Sequence, residues 1–385
     1  MPKITLLQRA NLSEDQWHSV LISLLRGLAA LQVAAAHLRA QAYPGFATVQ
    51  EPSLAFQGLA VATGFAYLAV IVFFVLSGWL VGGSLLNRLD TERAIANYAV
   101  DRVSRLWIVL IPTFGAMVLF GMATATLDPA RPSFALDNAY SAPAFIGNLV
   151  GLQNIFVPEF GGNFPLWSLS NETWYYVLFP LLVMLFRTQS TFHRLLILLA
   201  VAAIVHLLNE AILLYFSIWL LGAAFSRVRI ECGPFLRWAL FLGLVAAAVF
   251  IRLKGKSHIA VDSFVQYLLF SLIFVFFLSS MQFQRARGRL TDWLNRIGRF
   301  FSEFSFTLYV LHIPFMAALL HVASPILGEG RLDPNRPLHL LVYLVLYLVL
   351  VAGAYLFHLP FEANTYRVRE WLKTVLYARG RPVRV

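Results

Sequence analysis

The sequence predicts an all-α, polytopic membrane protein with about ten transmembrane helices and both termini in the cytoplasm. Apolar residues make up 59% of the 385 residues and charged residues only 13%, whereas soluble domains carry about 25% charged residues. Mean hydropathy is +0.71. Apolar runs near 20 residues, the length that crosses about 30 Å of hydrocarbon, recur along the chain. These observations exclude an ordinary soluble domain.

Ten apolar runs give the predicted helices, and Lys and Arg give their orientation. The approximate bounds are 18–38, 61–86, 105–125, 170–187, 194–209, 211–226, 237–252, 260–280, 302–322 and 338–360. Lys and Arg on the two sides of these helices number about 22 and 7, including those at helix ends. Cytoplasmic loops carry such an excess, so both termini are predicted to be cytoplasmic. The same distribution explains most of the net charge of +11 without nucleic acid.

A single integral-membrane domain is predicted over residues 1–385, with a helical core at about 18–360 and a short basic cytoplasmic tail at 361–385. The longest loop, about 126–169, is rich in Pro, Gly, Asn and aromatic residues and is expected on the outer side, over a cavity or at the bilayer edge. The single Cys232 excludes an intramolecular disulfide and a cysteine-based zinc site. No metal is expected, and the sequence gives no indication of the oligomeric state.

The first predicted helix carries two ionisable side chains, Arg26 and His37, inside an apolar run. Each costs about 2.5 to 3.5 kcal/mol at the bilayer centre, so such residues usually face a protein interior or a wet cavity. Their offset of eleven positions, with ten residues between them, places them about 16 Å apart along the helix axis and almost on one face. Arg26 then reaches an anionic ligand at the cytoplasmic face, or it extends towards lipid phosphates.

Glu172 begins the fourth predicted helix and is expected at the same outer depth as His37. A carboxylate there would orient an imidazole and raise its basicity, as a general base requires. The alternative is structural. Glu172 in a first helical turn is favoured by the helix dipole, with Ser170 as the cap, and His37 then only bonds a neighbour.

Arg102 and Arg105 lie three residues apart on one face at the start of the third helix, on the predicted cytoplasmic side. Two guanidinium groups in this arrangement suit phosphate groups. Ordinary positive-inside residues have the same pattern, so both interpretations stay open.

The second helix contains small residues among aromatics, around Ser77 at 73–84. This composition favours close helix packing over a narrow ligand passage. A nucleophilic role for Ser77 would require a neighbouring base, and the sequence indicates no such base. His312 is a second intramembrane histidine and a secondary site candidate, whereas His206, His321 and His358 lie near helix ends, where a wet, non-functional histidine is expected.

Five ordered motifs resemble those of acyltransferase family 3, membrane proteins that O-acylate glycans, lipids and small molecules, commonly from acetyl-CoA. The motifs are Arg26 with His37, Phe73–Gly78, Arg102 with Arg105, Trp167–Glu172 and Ser305–His312. The resemblance implies a ten-helix core in which Arg26 and His37 are essential. It implies that His37 is catalytic with Glu172 as support, and that Arg102 and Arg105 contact CoA phosphates. The secondary substrate-site candidates are Ser77, Trp167, Ser168, Tyr309 and His312.

This sequence departs from the family pattern at two places: Asn171 replaces a common apolar residue, and the element Phe361-Glu362 matches loosely, so no role is carried over to it.

The resulting hypothesis is a bacterial inner-membrane O-acyltransferase that moves an acetyl group from cytoplasmic acetyl-CoA to a hydroxyl of an envelope polysaccharide or lipid-linked glycan. His37 is the expected base, and Arg26 is expected to hold the pantetheine end or the carbonyl oxygen. The expected partners are acyl-CoA, a glycan or glycolipid acceptor and the bilayer. Alternatives are a succinyl or other acyl group, a small-molecule acceptor, or a transporter or flippase of a lipid-linked sugar, since buried Arg and His also mark transport paths. Release of CoA distinguishes the enzyme from the transporter.

Overall fold

A computed structural model of the chain describes residues 2–10, 16–123, 138–327 and 331–378. Helices make up 77% of the structure, and its described residues form one two-stranded sheet. Within these ranges, seven helices are long and apolar enough to cross a membrane. The predicted all-α, polytopic membrane class is therefore confirmed.

The described α-helices are α1 (Trp17–Ala42), α2 (Leu54–Ala62), α3 (Ala66–Ser77), α4 (Gly83–Arg88), α5 (Ala94–Ala123), α6 (Ala142–Leu149), α7 (Leu166–Arg187), α8 (Thr191–Leu207), α9 (Glu210–Phe225), α10 (Pro234–Lys254), α11 (Phe264–Ser280), α12 (Arg289–Glu303), α13 (Ser305–Leu327), α14 (Pro337–His358) and α15 (Thr365–Ala378). A π-helical turn, Gly78–Gly82, joins α3 to α4. Strands β1 (Lys3–Leu6) and β2 (Val228–Glu231) pair antiparallel, with Lys3 opposite Glu231.

All ten predicted runs coincide with helices, and the differences lie between them. The predicted helix 61–86 is α3, the π-helical turn and α4, because the chain leaves helical geometry after α2. Helices α12 and α15 were predicted as loop and tail, since their many charged residues keep their hydropathy low. Residues 124–137, which include part of the predicted outer loop and the end of the third predicted helix, and tail residues 379–385 lie outside the described residues.

Both ends of the described chain lie at one end of the bundle, called the terminal end below. Strand β1 pairs with β2 after α9, and the Ala10 amide donates to Asn87 Oδ1 at 2.9 Å, near the start of α5. At the other extreme of the chain, Tyr377 in α15 donates to Asn97 Oδ1 in α5 at 2.8 Å. The other end of the bundle, where α1 and α10 finish, is called the opposite end.

Two apolar clusters form the core, and α1 lies between them. The larger cluster comes mainly from α3, α5, α7, α9 and α11, with Trp219 and Tyr175 fully buried at its centre. The smaller comes mainly from α1, α13 and α14, with Leu38 and Leu308 buried.

Small residues bring α9 against the junction of α3 and the π-helical turn. A Cβ atom on Gly78 would lie 1.9 Å from the Trp219 carbonyl oxygen, and one on Gly222 would lie 2.0 Å from the Val75 carbonyl oxygen. Both obstacles are backbone atoms, so neither helix can yield by a side-chain rotation. The packing interpretation of this stretch therefore agrees with the structure.

We expect Gly222→Ala to separate these two helices and to lower stability by about 1 to 3 kcal/mol, the usual cost of overpacking a core. The measurement is the thermal melting of the purified protein in detergent. Gly115→Ala is the matched control, because a Cβ there meets no atom within 4 Å. Equal melting temperatures for the two variants would contradict the packing account.

Candidate active site

A cavity of about 600 Å³ extends from the terminal end into the bundle. Its volume lies within the range of about 300 to 1,000 Å³ that is usual for small-molecule sites. Glu303 and Tyr366 line its mouth, and Ser168 and Tyr309 lie in its deepest wall. The polar residues that line it are Arg26, Ser77, Arg102, Arg105, Ser168, Glu172, Tyr176, Tyr309, His358 and Glu362. Seven of the predicted site residues thus share one cavity, while His37, His312 and Trp167 lie outside its lining.

Arg105 has a carboxylate partner that the sequence interpretation did not foresee. Its guanidinium lies 2.7 Å from Glu362 Oε1, and only 1% of the Glu362 side chain is exposed. The second carboxylate oxygen accepts from the Thr307 amide at 2.9 Å and from the Thr307 hydroxyl at 2.6 Å. Arg105 is therefore held in an internal ion pair that joins α5 to the start of α13.

Arg26 and Arg102 are the cavity arginines without a carboxylate partner in the described parts of the chain. Arg102 lies over the Tyr176 ring at 5.6 Å and the Tyr98 ring at 6.0 Å, and its buried Nε has no hydrogen-bond partner. Arg26 lies within electrostatic range of Arg105 and Glu172 but forms no ion pair. Two guanidinium groups thus remain open to an anionic ligand in the cavity.

Glu172 belongs to a hydroxyl cluster in the cavity wall. Ser77 Oγ donates to Glu172 Oε1 at 2.5 Å, the Tyr176 hydroxyl donates to the same oxygen, and Trp219 Nε1 donates to Ser77 Oγ at 3.1 Å. Helix α7 begins at Leu166, four residues earlier than predicted, which carries Glu172 one turn deeper. The predicted pairing of Glu172 with His37 is therefore wrong.

Ser170 does not cap α7, because it lies inside the helix and donates to the Gly151 carbonyl at 2.7 Å. The predicted structural role of Ser170 is thus also wrong. Trp167, in the first turn of the same helix, packs edge-on against Phe74 with 6.5 Å between ring centroids.

His37 pairs with His312 instead of with a carboxylate. His37 Nδ1 lies 2.8 Å from His312 Nε2, and His312 Nδ1 lies 2.6 Å from the Tyr309 carbonyl oxygen. A carbonyl oxygen only accepts, so His312 Nδ1 must carry a hydrogen, and a neutral His312 then accepts at Nε2. This assigns the Nδ1 hydrogen to His37 and leaves a lone pair on His37 Nε2. The arrangement is that of an oriented base.

Tyr309 connects this histidine pair to the cavity. Tyr309 lines the cavity, and its hydroxyl lies 2.5 Å from Ser168 Oγ. Its backbone carbonyl orients His312 one helical turn away. The Phe164 ring packs edge-on against His37 at 4.9 Å between centroids. The histidine pair thus lies just beyond the deep wall of the cavity.

A second cavity, of about 660 Å³, lies on the other side of this region. Its lining includes Ile313 and Pro314, which directly follow His312, together with Asn163. Along α13, His312 therefore lies between residues of the two cavities.

Glu362 and His358 are site residues that sequence reasoning missed. His358 was expected to be wet, but it is 6% exposed, and its Nδ1 lies 3.5 Å from Glu362 Oε2. The loosely matching Phe361-Glu362 element was the available signal for Glu362. The burial of both residues depends on the turn between α14 and α15, which hydropathy did not reveal.

The fold and cavity define an integral membrane protein with an internal, arginine-lined ligand site. The family model for an acyltransferase domain matches residues 20–359, nearly the whole chain. The chain therefore belongs to acyltransferase family 3 and is a membrane acyltransferase. No curated protein and no solved structure matches it with significant similarity. In the described ranges, no three His, Cys, Asp or Glu side chains cluster to hold a metal ion.

Proposed function

We propose that this acyltransferase moves an acetyl group from cytoplasmic acetyl-CoA to a hydroxyl of an envelope polysaccharide or a lipid-linked glycan. The observation that carries the proposal is one continuous arrangement: a cavity with two unpaired arginines ends at the residue that orients a histidine pair. The excess of Lys and Arg at the terminal end supports a cytoplasmic mouth for this cavity.

Arg102 and Arg26 have separate roles in holding the donor. CoA carries phosphate groups, which a guanidinium binds through charge-assisted, bidentate hydrogen bonds. Arg102 holds a phosphate, and the flanking Tyr98 and Tyr176 rings fix its guanidinium. Arg26 holds the pantetheine arm or the thioester carbonyl oxygen.

His37 acts as the general base. The thioester is already activated, so the protein mainly positions the reactants and removes a proton. The acceptor hydroxyl gives its proton to His37 Nε2 while its oxygen bonds to the carbonyl carbon. The carbon–sulfur bond then breaks, and the CoA thiolate leaves as the thiol with the proton that His37 received, which restores the neutral base. His312 keeps the His37 ring in the required tautomer throughout.

The test is the release of free CoA thiol by the purified protein in proteoliposomes with acetyl-CoA and an envelope glycan and lipid extract. The proposal expects release that depends on the extract and an acetyl ester on a component of it. A protein that neither binds acetyl-CoA nor releases CoA would contradict the proposal. Binding without release would show that the extract lacked the acceptor.

We expect Arg102→Gln to raise the KM for acetyl-CoA at least about tenfold with little change in kcat, since a hydrogen bond to a charged group contributes about 1.5 to 3 kcal/mol. Acetyl-pantetheine, which lacks the nucleotide phosphates, should show the same KM with wild type and variant. Arg187→Gln is the control, because Arg187 is half exposed and pairs with the exposed Asp90. If Arg102→Gln raised the KM for acetyl-CoA and the KM for acetyl-pantetheine equally, Arg102 would not contact the CoA phosphates.

His312→Phe should lower kcat about tenfold or more while leaving the KM for acetyl-CoA unchanged. Phenylalanine keeps a ring at this buried position but leaves His37 Nδ1 without its acceptor, so the base loses its fixed tautomer. The pH–rate profile under saturating donor measures the role of the pair, because a purely structural change would not move its midpoint. An unchanged kcat and profile would show that His37 works without His312.

A further inference from the structure

Two arginines from different helices meet at the end of α2. Arg39, in the last turn of α1, donates from Nε to Thr63 Oγ1 at 2.8 Å. Arg252, in the last turn of α10, donates from Nη2 to the Ala60 carbonyl at 3.1 Å. Both guanidinium groups therefore lie at the opposite end of the bundle, far from the donor cavity.

Their charge is not balanced by the described residues around them. Neither arginine forms an ion pair in the described residues, and no carboxylate is among the groups there that act electrostatically on Arg39. The two guanidinium groups lie within electrostatic range of each other. The C-termini of α1, α2 and α10 supply only partial negative charges, about −0.5 each. The site thus holds two guanidinium groups without a carboxylate from the described ranges, and an anionic group would neutralise the remaining positive charge.

Open hydrogen-bond donors remain on both side chains. The terminal nitrogens of Arg39 and one of Arg252 make no hydrogen bond in the described residues, and Arg252 Nε is buried without a partner. Gly64 makes room for this arrangement, because a Cβ there would lie 1.7 Å from Arg252 Nε. The planar fork of N–H donors on a guanidinium group matches the geometry of phosphate oxygens and can bind two of them at once.

The membrane gives access to this site. Helix α10 has Ile251 as its buried residue among otherwise partly or fully exposed side chains, so its surface faces lipid. Arg252 is two residues from the end of this apolar helix, and long cationic side chains at such ends reach towards lipid phosphates. Arg252 turns from this surface towards α2 and Arg39 instead of extending outwards alone.

We propose that Arg39 and Arg252 form a binding site for the phosphate group of a membrane lipid at the opposite end of the bundle. The site goes beyond acyl transfer, and its test uses no acyl donor. The phosphate comes either from a phospholipid headgroup or from a lipid-linked glycan, and both sources share the same recognition chemistry.

Calorimetric titration of the purified full chain in an uncharged maltoside detergent tests the site. The probes are farnesyl phosphate, dihexanoyl phosphatidylglycerol and farnesol, which lacks the phosphate. We expect at least one phosphate probe to bind tenfold or more tightly than farnesol, and the double variant R39Q/R252Q to lose at least tenfold of that affinity. Gly64→Ala keeps both charges but displaces Arg252, and it should lose affinity several-fold. Arg336→Gln, which removes one paired charge at the same end, should bind like wild type.

If farnesyl phosphate binds more tightly than dihexanoyl phosphatidylglycerol, the phosphate belongs to a lipid-linked glycan. If phosphatidylglycerol binds equally or more tightly, the phosphate belongs to a phospholipid headgroup. Equal affinity for farnesol and both phosphate probes would overturn the proposal. A double variant that binds like wild type would also overturn it, as would an equal loss in Arg336→Gln. If the double variant does not fold, the single variant Arg252→Gln replaces it, and wild-type affinity in that variant would overturn the proposal.

Discussion

His37→Ala is expected to lower acceptor-dependent CoA release by about 10² to 10⁴, the range that a positioned general base contributes. The variant removes the lone pair on Nε2 but leaves the arginine-lined cavity intact, since His37 is not part of its lining. Binding of acetyl-CoA should therefore persist. The measurement combines steady-state CoA release with equilibrium donor binding on the same preparation.

His206→Ala is the control for the histidine substitution, because His206 is an exposed residue in the last turn of α8. It should release CoA at the wild-type rate. If His37→Ala also kept the wild-type rate, the base would have to be another group, and Glu172 with its Ser77 and Tyr176 partners would be the next to test.

Glu362→Ala is expected to have the largest effect on stability. The substitution leaves Arg105 without its partner and the Thr307 amide and hydroxyl without their acceptor. Removing one member of a buried ion pair costs about 3 to 5 kcal/mol, and the 29% exposure of the Arg105 side chain places the expected loss at the lower end of that range. The melting temperature in detergent and the yield of monodisperse protein should both fall.

Two further variants separate this effect from a general loss of negative charge. Glu370→Ala removes a half-exposed carboxylate on α15 and should change stability little. The double variant E362Q/R105Q removes both charges and should recover part of the loss. A Glu362→Ala protein as stable as Glu370→Ala would show that the pair does not hold the helices together.

The membrane class and the positions of the long helices were predictable, because a helix inside lipid must be apolar along its whole length. Helices α12 and α15 were not, since each has a charged face that lowers its average hydropathy. Their helical form depends on packing against α1 and α5, a tertiary contact that no local pattern displays.

The site was predictable as a set of residues more than as a set of contacts. Motif order singled out His37 and His312, yet nothing in the sequence joined them, because they are 275 residues apart. The predicted pairing of His37 with Glu172 was wrong, because Glu172 lies deeper in the bundle than expected. An error of four residues in the start of α7 is one helical turn, enough to move a carboxylate from one hydrogen-bond network to another.

Glu362 lies three residues beyond the end of the family match at residue 359. A truncated protein ending at that boundary would lack this carboxylate and α15. Arg105 would then face the cavity as a third unneutralised cation, and the mouth would lose Tyr366. Such a fragment should hold anionic compounds more tightly than the full chain while folding less stably. Inhibitor screens on it would consequently favour acidic molecules that the intact enzyme binds poorly.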